Sequence, residues 1–456
     1  MSEPDQSFLP RQDDLDLPIL GDGLRAFHCE RPHDLDALKE AARRCAEAET
    51  PIFPQGGATA LDYGNPPARS GAAFDLTGLH RVIDYPAADL TITVEAGLTL
   101  HALARVLAAE NQWLPLDVPE ADRATVGGLY ATNFYGPRRY GWGRPRDAII
   151  GVGFVNTRGQ FIQGGGRVVK NVAGYDFPKL MTGAVGTLGI LAQITLKLRP
   201  RPESNALVWV VLPNAATAER RLTELNLSQA RPTAIELLNA SAARQIALLL
   251  DLPAPAQDDP QALALVVGVE DNADSVTWQL DRLVDELSRT DSESATNQRP
   301  DVATLRDDRA GPLWSILTEL TAAPLAPAPG LNEGAPLPET PAVSLAANLV
   351  PSRVAELVSR FDPRRWMVQA HAGDGLVRAH LIAPEPLEVV QHDVEQARRF
   401  AVEAKGNLIL PRCPTAWKPT LNVWGAPRPD WAIARQIKQA LDPHHLLNPG
   451  RFIDQI

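Results

Sequence analysis

Apolar residues recur along this 456-residue chain at spacings that predict most of its elements. Residues 34–48, DLDALKEAARRCAEA, put Leu35, Leu38, Ala42 and Cys45 on one helical face. A short apolar run, Pro51–Pro54, predicts a strand that enters QGGAT. Thr91–Ala96, TITVEA, alternates as a half-buried strand does; Gly97 ends it, and Thr99 is placed to cap a helix carrying Leu100, Leu103 and Leu107. Alternation returns at Ile190–Leu198, with Ile190, Ala192, Ile194, Leu196 and Leu198 inward and Gln193, Thr195 and Lys197 outward. Arg199-Pro200-Arg201-Pro202 stops that strand and reads as a domain boundary.

Beyond the boundary the rhythm changes. Strands are predicted at Ala206–Leu212, Ala234–Leu238 and Leu263–Val269, with helices at Ala215–Leu225 and Ser275–Leu287. A second set follows: strands Val343–Leu349, Trp366–His371, Val377–Ile382 and Asn407–Leu410, with helices Ser352–Phe361 and Leu387–Ala404. This is the pattern of an α+β domain with helices on one face of an antiparallel sheet, approximately duplicated and ferredoxin-like. Ser288–Asp301 is polar and reads as a loop, and the Pro-dense stretch Ala322–Pro341 as an extended, solvent-facing insertion. The last segment is a helix followed by a Pro-stopped turn in which His444 and His445 cap the surface.

Length allows two domains, and the apolar fraction of 45% is ordinary for a globular protein. A net charge of −11 argues against general nucleic-acid binding. No apolar run approaches the roughly 20 residues that span a bilayer, and the acidic N-terminus lacks the features of a signal peptide. The expected location is the cytoplasm. Cys29, Cys45 and Cys413 are far apart, with no CxxC pair, so a disulfide framework, a zinc site or an iron–sulfur cluster held by this chain is not expected.

Three glycine motifs carry the candidate chemistry. Pro54-Gln55-Gly56-Gly57-Ala58-Thr59 follows a strand, and successive N–H groups in such a turn suit a pyrophosphate, although an ordinary glycine turn has the same sequence. Thr125-Val126-Gly127-Gly128 is followed by Thr132-Asn133 and by Gly136-Pro137-Arg138-Arg139-Tyr140-Gly141. Gly183-Ala184-Val185-Gly186-Thr187-Leu188-Gly189-Ile190 leads straight into a strand. None matches the GxGxxG dinucleotide fingerprint.

In this order and spacing the three motifs resemble the FAD-binding domain of the vanillyl-alcohol oxidase / p-cresol methylhydroxylase superfamily, the FAD-linked oxidases. Asp75–Leu103, Trp113–Glu120 and the terminal Asn448-Pro449-Gly450-Arg451 carry the resemblance further. VVKNVAGYDFPKLMTGAVGTLGI is most similar to the FAD-binding subunits of glycolate oxidase, the GlcE type. The implied architecture is a two-lobed FAD-binding domain at 20–202, after an acidic tail at 1–19. A ferredoxin-like α+β cap spans 203–440 with an insertion at about 320–341, and 441–456 returns to the FAD domain. The resemblance also implies cofactor contacts at Pro54, Gln55, Gly56, Gly57, Ala58 and Thr59 for the pyrophosphate. Pro115, Leu116, Asp117, Thr125, Val126, Gly127, Gly128, Thr132, Asn133, Gly136, Arg138 and Tyr140 would lie along the cofactor, with Gly186, Gly189 and Ile190 at its flavin-bearing half.

Departures from the family pattern matter. Ala58 stands where relatives with covalent flavin often carry His, so noncovalent FAD is expected, and Val185 replaces a frequent Glu. The family's HxGDGNxH is here His371-Ala-Gly-Asp374-Gly-Leu376-Val-Arg378-Ala-His380. The Asn is lost, Arg378 replaces the second His, and His380 is displaced by two residues, which keeps the same strand face. His371 and Arg378 are the candidate catalytic residues, Arg378 as a carboxylate fork; no metal is expected. The damaged motif favours a second reading in which His371 and Asp374 stabilise a hairpin. Lys170, Asn171, Tyr175 and Lys179 form another polar cluster, either beside the cofactor or a packed surface loop.

The leading expectation is an FAD subunit of a glycolate dehydrogenase complex, taking glycolate or a related 2-hydroxy acid to the 2-oxo acid. Expected partners are a second FAD subunit and an iron–sulfur subunit, with peripheral contact to the membrane's inner face. A self-sufficient D-lactate or D-2-hydroxyacid dehydrogenase, and a non-catalytic scaffold subunit, are the alternatives.

Overall fold

A short antiparallel pair, Ile19–Gly21 with Leu24–Arg25, begins the structure, a computed structural model that describes residues 17–167, 174–289, 300–325 and 343–456, and short parallel strands follow it. Most of the acidic tail, Lys170 and Asn171, the middle of the Ser288–Asp301 stretch and most of the Pro-dense insertion lie outside the described residues. Strands His28–Glu30, Ala72–Asp75 and Ile52–Gln55 pair in that spatial order, all parallel. The helix Leu35–Glu47 packs on them through Leu38, Ala41, Ala42 and Cys45. Asp34 caps it, accepting the Ala37 N–H at 2.8 Å. The C-terminal segment joins this sheet: Ile52 donates to the Leu446 carbonyl at 2.7 Å and Asn448 donates to that of Ile52 at 2.9 Å.

A second, antiparallel sheet has the order Phe161–Gly165, Ile149–Val155, Ile190–Lys197, Thr91–Glu95, Val82–Asp84. The alternation read in Thr91–Glu95 and Ile190–Lys197 reflects direct pairing, Ile194 against Val94 and Leu196 against Ile92. Thr99 caps the helix Leu100–Ala108 by accepting from Ala102 N.

The remainder forms one continuous eight-stranded sheet. Strands Ser204–Leu212, Ala234–Asn239, Leu263–Asp271 and Val302–Arg306 lie in the order fourth, first, third, second. Strands Ser344–Asn348, Trp366–His371, Leu376–Leu381 and Asn407–Arg412 repeat that order in reverse. The duplicated ferredoxin-like reading therefore describes the sheet, and the halves meet where Glu236 pairs with His371 and Leu238 with Gln369. The expectation of helices on a single face is corrected. Ala215–Leu225, Ala273–Leu287, Val354–Ser359 and Leu387–Glu403 cover one face, but Ala240–Leu250 and Gly311–Leu320, neither predicted, cover the other over the first half. Over the second half no such pair intervenes among the described residues. Ser344, Ala346, Arg378 and His380 of that face line a cavity instead.

Candidate FAD and substrate site

The cavity lies between the glycine turns and the second half of the large sheet, and encloses about 1920 Å³ including its open mouth. Pro54, Gln55, Gly56, Gly57, Ala58, Thr59, Thr125, Gly127, Gly128, Thr132, Asn133, Gly186 and Gly189 line it, as does Arg378. The three glycine motifs, far apart in sequence, thus share one wall.

The turn after Ile52–Gln55 has the features of an anion cradle. Among the described residues, the N–H groups of Gly56, Gly57, Ala58 and Thr59 donate to no protein acceptor. Unpaired N–H groups on a glycine turn are what a pyrophosphate accepts from. A Cβ at Gly57 would sit 1.7 Å from the Arg123 carbonyl oxygen, and one at Gly56 2.1 Å from Thr125 Oγ1. Glycine is required there because the turn is pressed against the second motif. Thr125 caps the helix Val126–Thr132, accepting from Gly128 N at 3.2 Å, and Gly127 packs on Ala96. Asn133 ends this helix in the left-handed region, with its Oδ1 buried and unpartnered on the cavity wall. Val185 is also left-handed, at φ 52°, a strained state for a β-branched residue. Its N–H donates to Ala131 O at 2.9 Å and its carbonyl accepts from Asn448 Nδ2 at 2.8 Å. The terminal Asn-Pro-Gly thus braces the third motif. Open donors, an unsatisfied amide and glycine walls fit a dinucleotide.

The opposite wall is polar and buried. Arg378 and His380 lie two apart on Leu376–Leu381, on the same face. Arg378 Nη2 donates to Tyr135 O at 3.3 Å, its guanidinium lies 4.6 Å from the Phe134 ring centroid, and its Nε is unpartnered. Among the described residues no carboxylate lies within ion-pair distance of it. Burial lowers its proton affinity, only partly offset by Tyr135 and Tyr63. A buried guanidinium without a counter-ion is a receptor for an anion. His380 Nδ1 shares a hydrogen bond of 2.9 Å with Ser344 Oγ, which fixes the ring, and its Nε2 is unpartnered. Burial, then Arg378, pushes its pKa down to about 3, with Arg412 acting in the same direction and the Leu320 carbonyl opposing them. The ring is neutral at physiological pH and can act as a base.

Several expected residues lie elsewhere. His371 is not on the cavity wall: it is buried and paired with Glu236, Nδ1 to Oε1 at 2.7 Å, and Gln369 Nε2 donates to Glu236 Oε2 at 2.6 Å. Burial raises the Glu236 carboxyl well above its usual range and lowers His371 to about 3, so the pair is held as neutral partners across the seam of the sheet. His380 takes the place on the cavity expected for His371. Asp117 and Arg138 also turn from the cavity. Arg138 N donates to Asp117 Oδ2 at 2.6 Å, and its Nε donates to Glu270 Oε1 at 2.8 Å. Gly136 packs on Asp117, Tyr140 covers Gly373, Pro115 is buried, and Leu116 packs on the apolar core. The cavity meets that loop at Val118 and Pro119. Val126 and Ile190 are core residues. Tyr175 is 85% exposed and Lys179 pairs with Asp176 at the surface, so neither shapes the cavity. Arg412, Ser344 and Asn448 line it without having been expected; the period-two spacing of 378 and 380 was the available signal for that wall.

Residues 29–165 match the FAD binding domain model. Residues 201–409 and 426–452 match the model for FAD linked oxidases, C-terminal domain. Glycolate oxidase subunit GlcD of Bacillus subtilis is 24% identical over 92% of this chain and 87% of that protein. D-2-hydroxyglutarate dehydrogenase of Xanthomonas citri pv. viticola is 25% identical over 93% and 88%. Glycolate oxidase subunit GlcE of Escherichia coli is 34% identical, over 37% of this chain and 48% of that protein. The fold is shared with alkyldihydroxyacetonephosphate synthase, at a TM-score of 0.63 and 15% identity over 92% of this chain and 75% of that one. This chain belongs to the FAD-linked oxidase family.

Proposed function

We propose that this protein oxidises a small 2-hydroxy acid to the 2-oxo acid with noncovalently held FAD. The observation that carries the reading is Arg378, a buried guanidinium without a carboxylate partner among the described residues, two residues from His380 on the face lining the cavity. Arg378 holds the substrate carboxylate. His380 Nε2 takes the hydroxyl proton, and Ser344 keeps the ring oriented. When bound, FAD supplies the two-electron acceptor for the hydride released from the hydroxyl-bearing carbon. The cradle from Gly56 to Thr59 holds the pyrophosphate. Noncovalent attachment is supported by Ala58, whose methyl group offers no nucleophile at that position of the turn.

Relatives named as glycolate oxidase subunits support work within an assembly, in which a separate iron–sulfur polypeptide takes the electrons onward. Among the described residues no helix is long and apolar enough to cross a membrane, so contact with a membrane quinone would pass through a partner.

The test is an anaerobic titration of the FAD-loaded protein with 2-hydroxy acids. Bleaching of the flavin, lost in Arg378→Met while FAD is retained, is the expected result. A flavin that stays oxidised with every acid overturns the catalytic assignment. The assembly is tested separately, by whether an iron–sulfur polypeptide co-purifies with the tagged chain from its own host.

A further inference from the structure

The cavity carries a second cation that the reaction above does not use. Ser344 pairs with His380 on one side and with Arg412 on the other, so His380, Ser344 and Arg412 stand abreast on three neighbouring strands. Strands lie about 4.8 Å apart and rise about 3.4 Å per residue, which sets Arg412 roughly 10 Å from His380 across the sheet and Arg378 roughly 7 Å from it along the strand, Cα to Cα. All three residues line the cavity, and Arg412 also lines the recess at its mouth. Its backbone sits in the sheet beside Ser344, and among the described residues the Arg412 side chain has no ion-pair or hydrogen-bond partner.

The acids around that mouth are engaged elsewhere. Asp62 Oδ1 accepts from Asp22 N at 2.8 Å, Glu120 pairs with Arg123 at 2.7 Å, and Glu319 accepts from Glu120 N at 3.2 Å. An acid with one carboxylate, seated on Arg378, leaves Arg412 facing the cavity without a counter-charge. Both guanidinium groups disfavour a protonated His380. Burial is the larger cause, and anions seated on both guanidinium groups relieve only the part of the opposition that comes from those charges.

We propose that the 2-hydroxy acid carries a second carboxylate, bound by Arg412 at the mouth while Arg378 holds the carboxylate beside the reacting carbon. This rests on the reading of the cavity as a 2-hydroxy acid site and narrows it to dicarboxylates. The FAD pyrophosphate is the other anion within the cavity, but it has its own cradle from Gly56 to Thr59.

The test uses the full-length FAD-loaded protein, reduced anaerobically by glycolate, lactate, malate and 2-hydroxyglutarate, each as both enantiomers. One enantiomer of a dicarboxylate should reduce the flavin roughly ten- to a hundredfold more efficiently than the monocarboxylates, the discrimination of one charge-assisted contact. In Arg412→Gln the dicarboxylate-to-monocarboxylate ratio should fall by about tenfold or more, with FAD retained. Equal or better reduction by glycolate or lactate overturns the second carboxylate and leaves the 2-hydroxy acid reading intact. So does an Arg412→Gln protein that releases FAD with its substrate ratio unchanged, which would assign Arg412 to the cofactor. If no acid of either kind reduces bound FAD, both readings fall together.

Discussion

At the scale of single residues, the site is defined by groups that lack a partner and groups that lack a side chain. Gly57 is the clearest of the second kind. Its missing Cβ lets the turn rest against the Arg123 carbonyl, so Gly57→Ala must displace that backbone. We expect FAD affinity to fall at least about tenfold, the loss of about 1.4 kcal/mol, because the N–H groups from Gly56 to Thr59 move together. Fluorescence titration of the apoprotein with FAD measures it. His380 is the clearest of the first kind, and its low pKa is a statement about stability. Its folded pKa, about 3, lies below its ordinary value of 6.5, so between those values the unfolded chain binds the additional proton. The stability this contributes is present above about pH 6.5 and is lost as pH falls toward about 3. His380→Gln should therefore flatten the pH dependence of urea unfolding in that window by up to about 1.4 kcal/mol per pH unit. An unchanged slope would mean that the ring is protonated in the folded protein.

At the scale of elements, the sequence was legible where an element buries one face. Ile190–Lys197 and Thr91–Glu95 alternate because one face of each packs on the core, and Leu35–Glu47 shows its helical stripe for the same reason. The strands His28–Glu30 and Ala72–Asp75 were not legible. Each is too short to alternate, and Ala72, Ala73 and Phe74 are all buried, as in parallel sheets covered on both sides. The helix Ala240–Leu250 escaped because ASAARQIALLL has a broad apolar surface and follows a strand without a break. The site was half legible. Glycine spacing marked the cofactor wall, but nothing in the local pattern says that His371 faces Glu236 while His380 faces the cavity. Both lie on one face of the sheet, and the outcome depends on how far across that face two unpredicted helices extend. The C-terminal helix Trp431–Leu441 gives a further prediction. Lys438 is buried and donates to Asp442, to Thr187 O at 2.8 Å and to Leu447 O at 2.8 Å, tying the helix to the third glycine motif. Lys438→Met leaves Asp442 buried without its cation, and should cost about 3–5 kcal/mol in urea unfolding. It should also weaken FAD binding, because the segment reaching Asn448 and the Val185 turn loses its anchor.

At the scale of the whole molecule, the cavity exists only while its two walls face each other, and polar contacts cross that boundary beside the packing of Tyr140 on Gly373. Arg139 reaches Asp374 at 3.5 Å, Gly141 N donates to Thr233 O at 3.0 Å, and Arg378 reaches back to Tyr135 O. Arg138 joins the most partners. Asp117 belongs to its own side, whereas Glu270 and Trp314 belong to the large sheet and its covering helix, with the guanidinium 3.9 Å from the Trp314 ring centroid. Burial opposes its charge, but Asp117 and Glu270 outweigh that and raise its proton affinity. Arg138→Met removes the cation and leaves two buried carboxylates facing each other, an arrangement that costs about 3–5 kcal/mol. The cause can be separated from lost packing by pH. Without Arg138 two like charges face each other at neutral pH, so the penalty should be larger at pH 7 than at pH 5. Glu270→Gln in the same chain should recover part of the loss at neutral pH, while Arg138→Lys should recover little, since a single ammonium cannot span both acids in a fork. A penalty that is the same at pH 5 and pH 7 would show that Arg138 acts by packing on Trp314 and Trp113 rather than by charge. In that case the walls would be held together chiefly by the aromatic contacts.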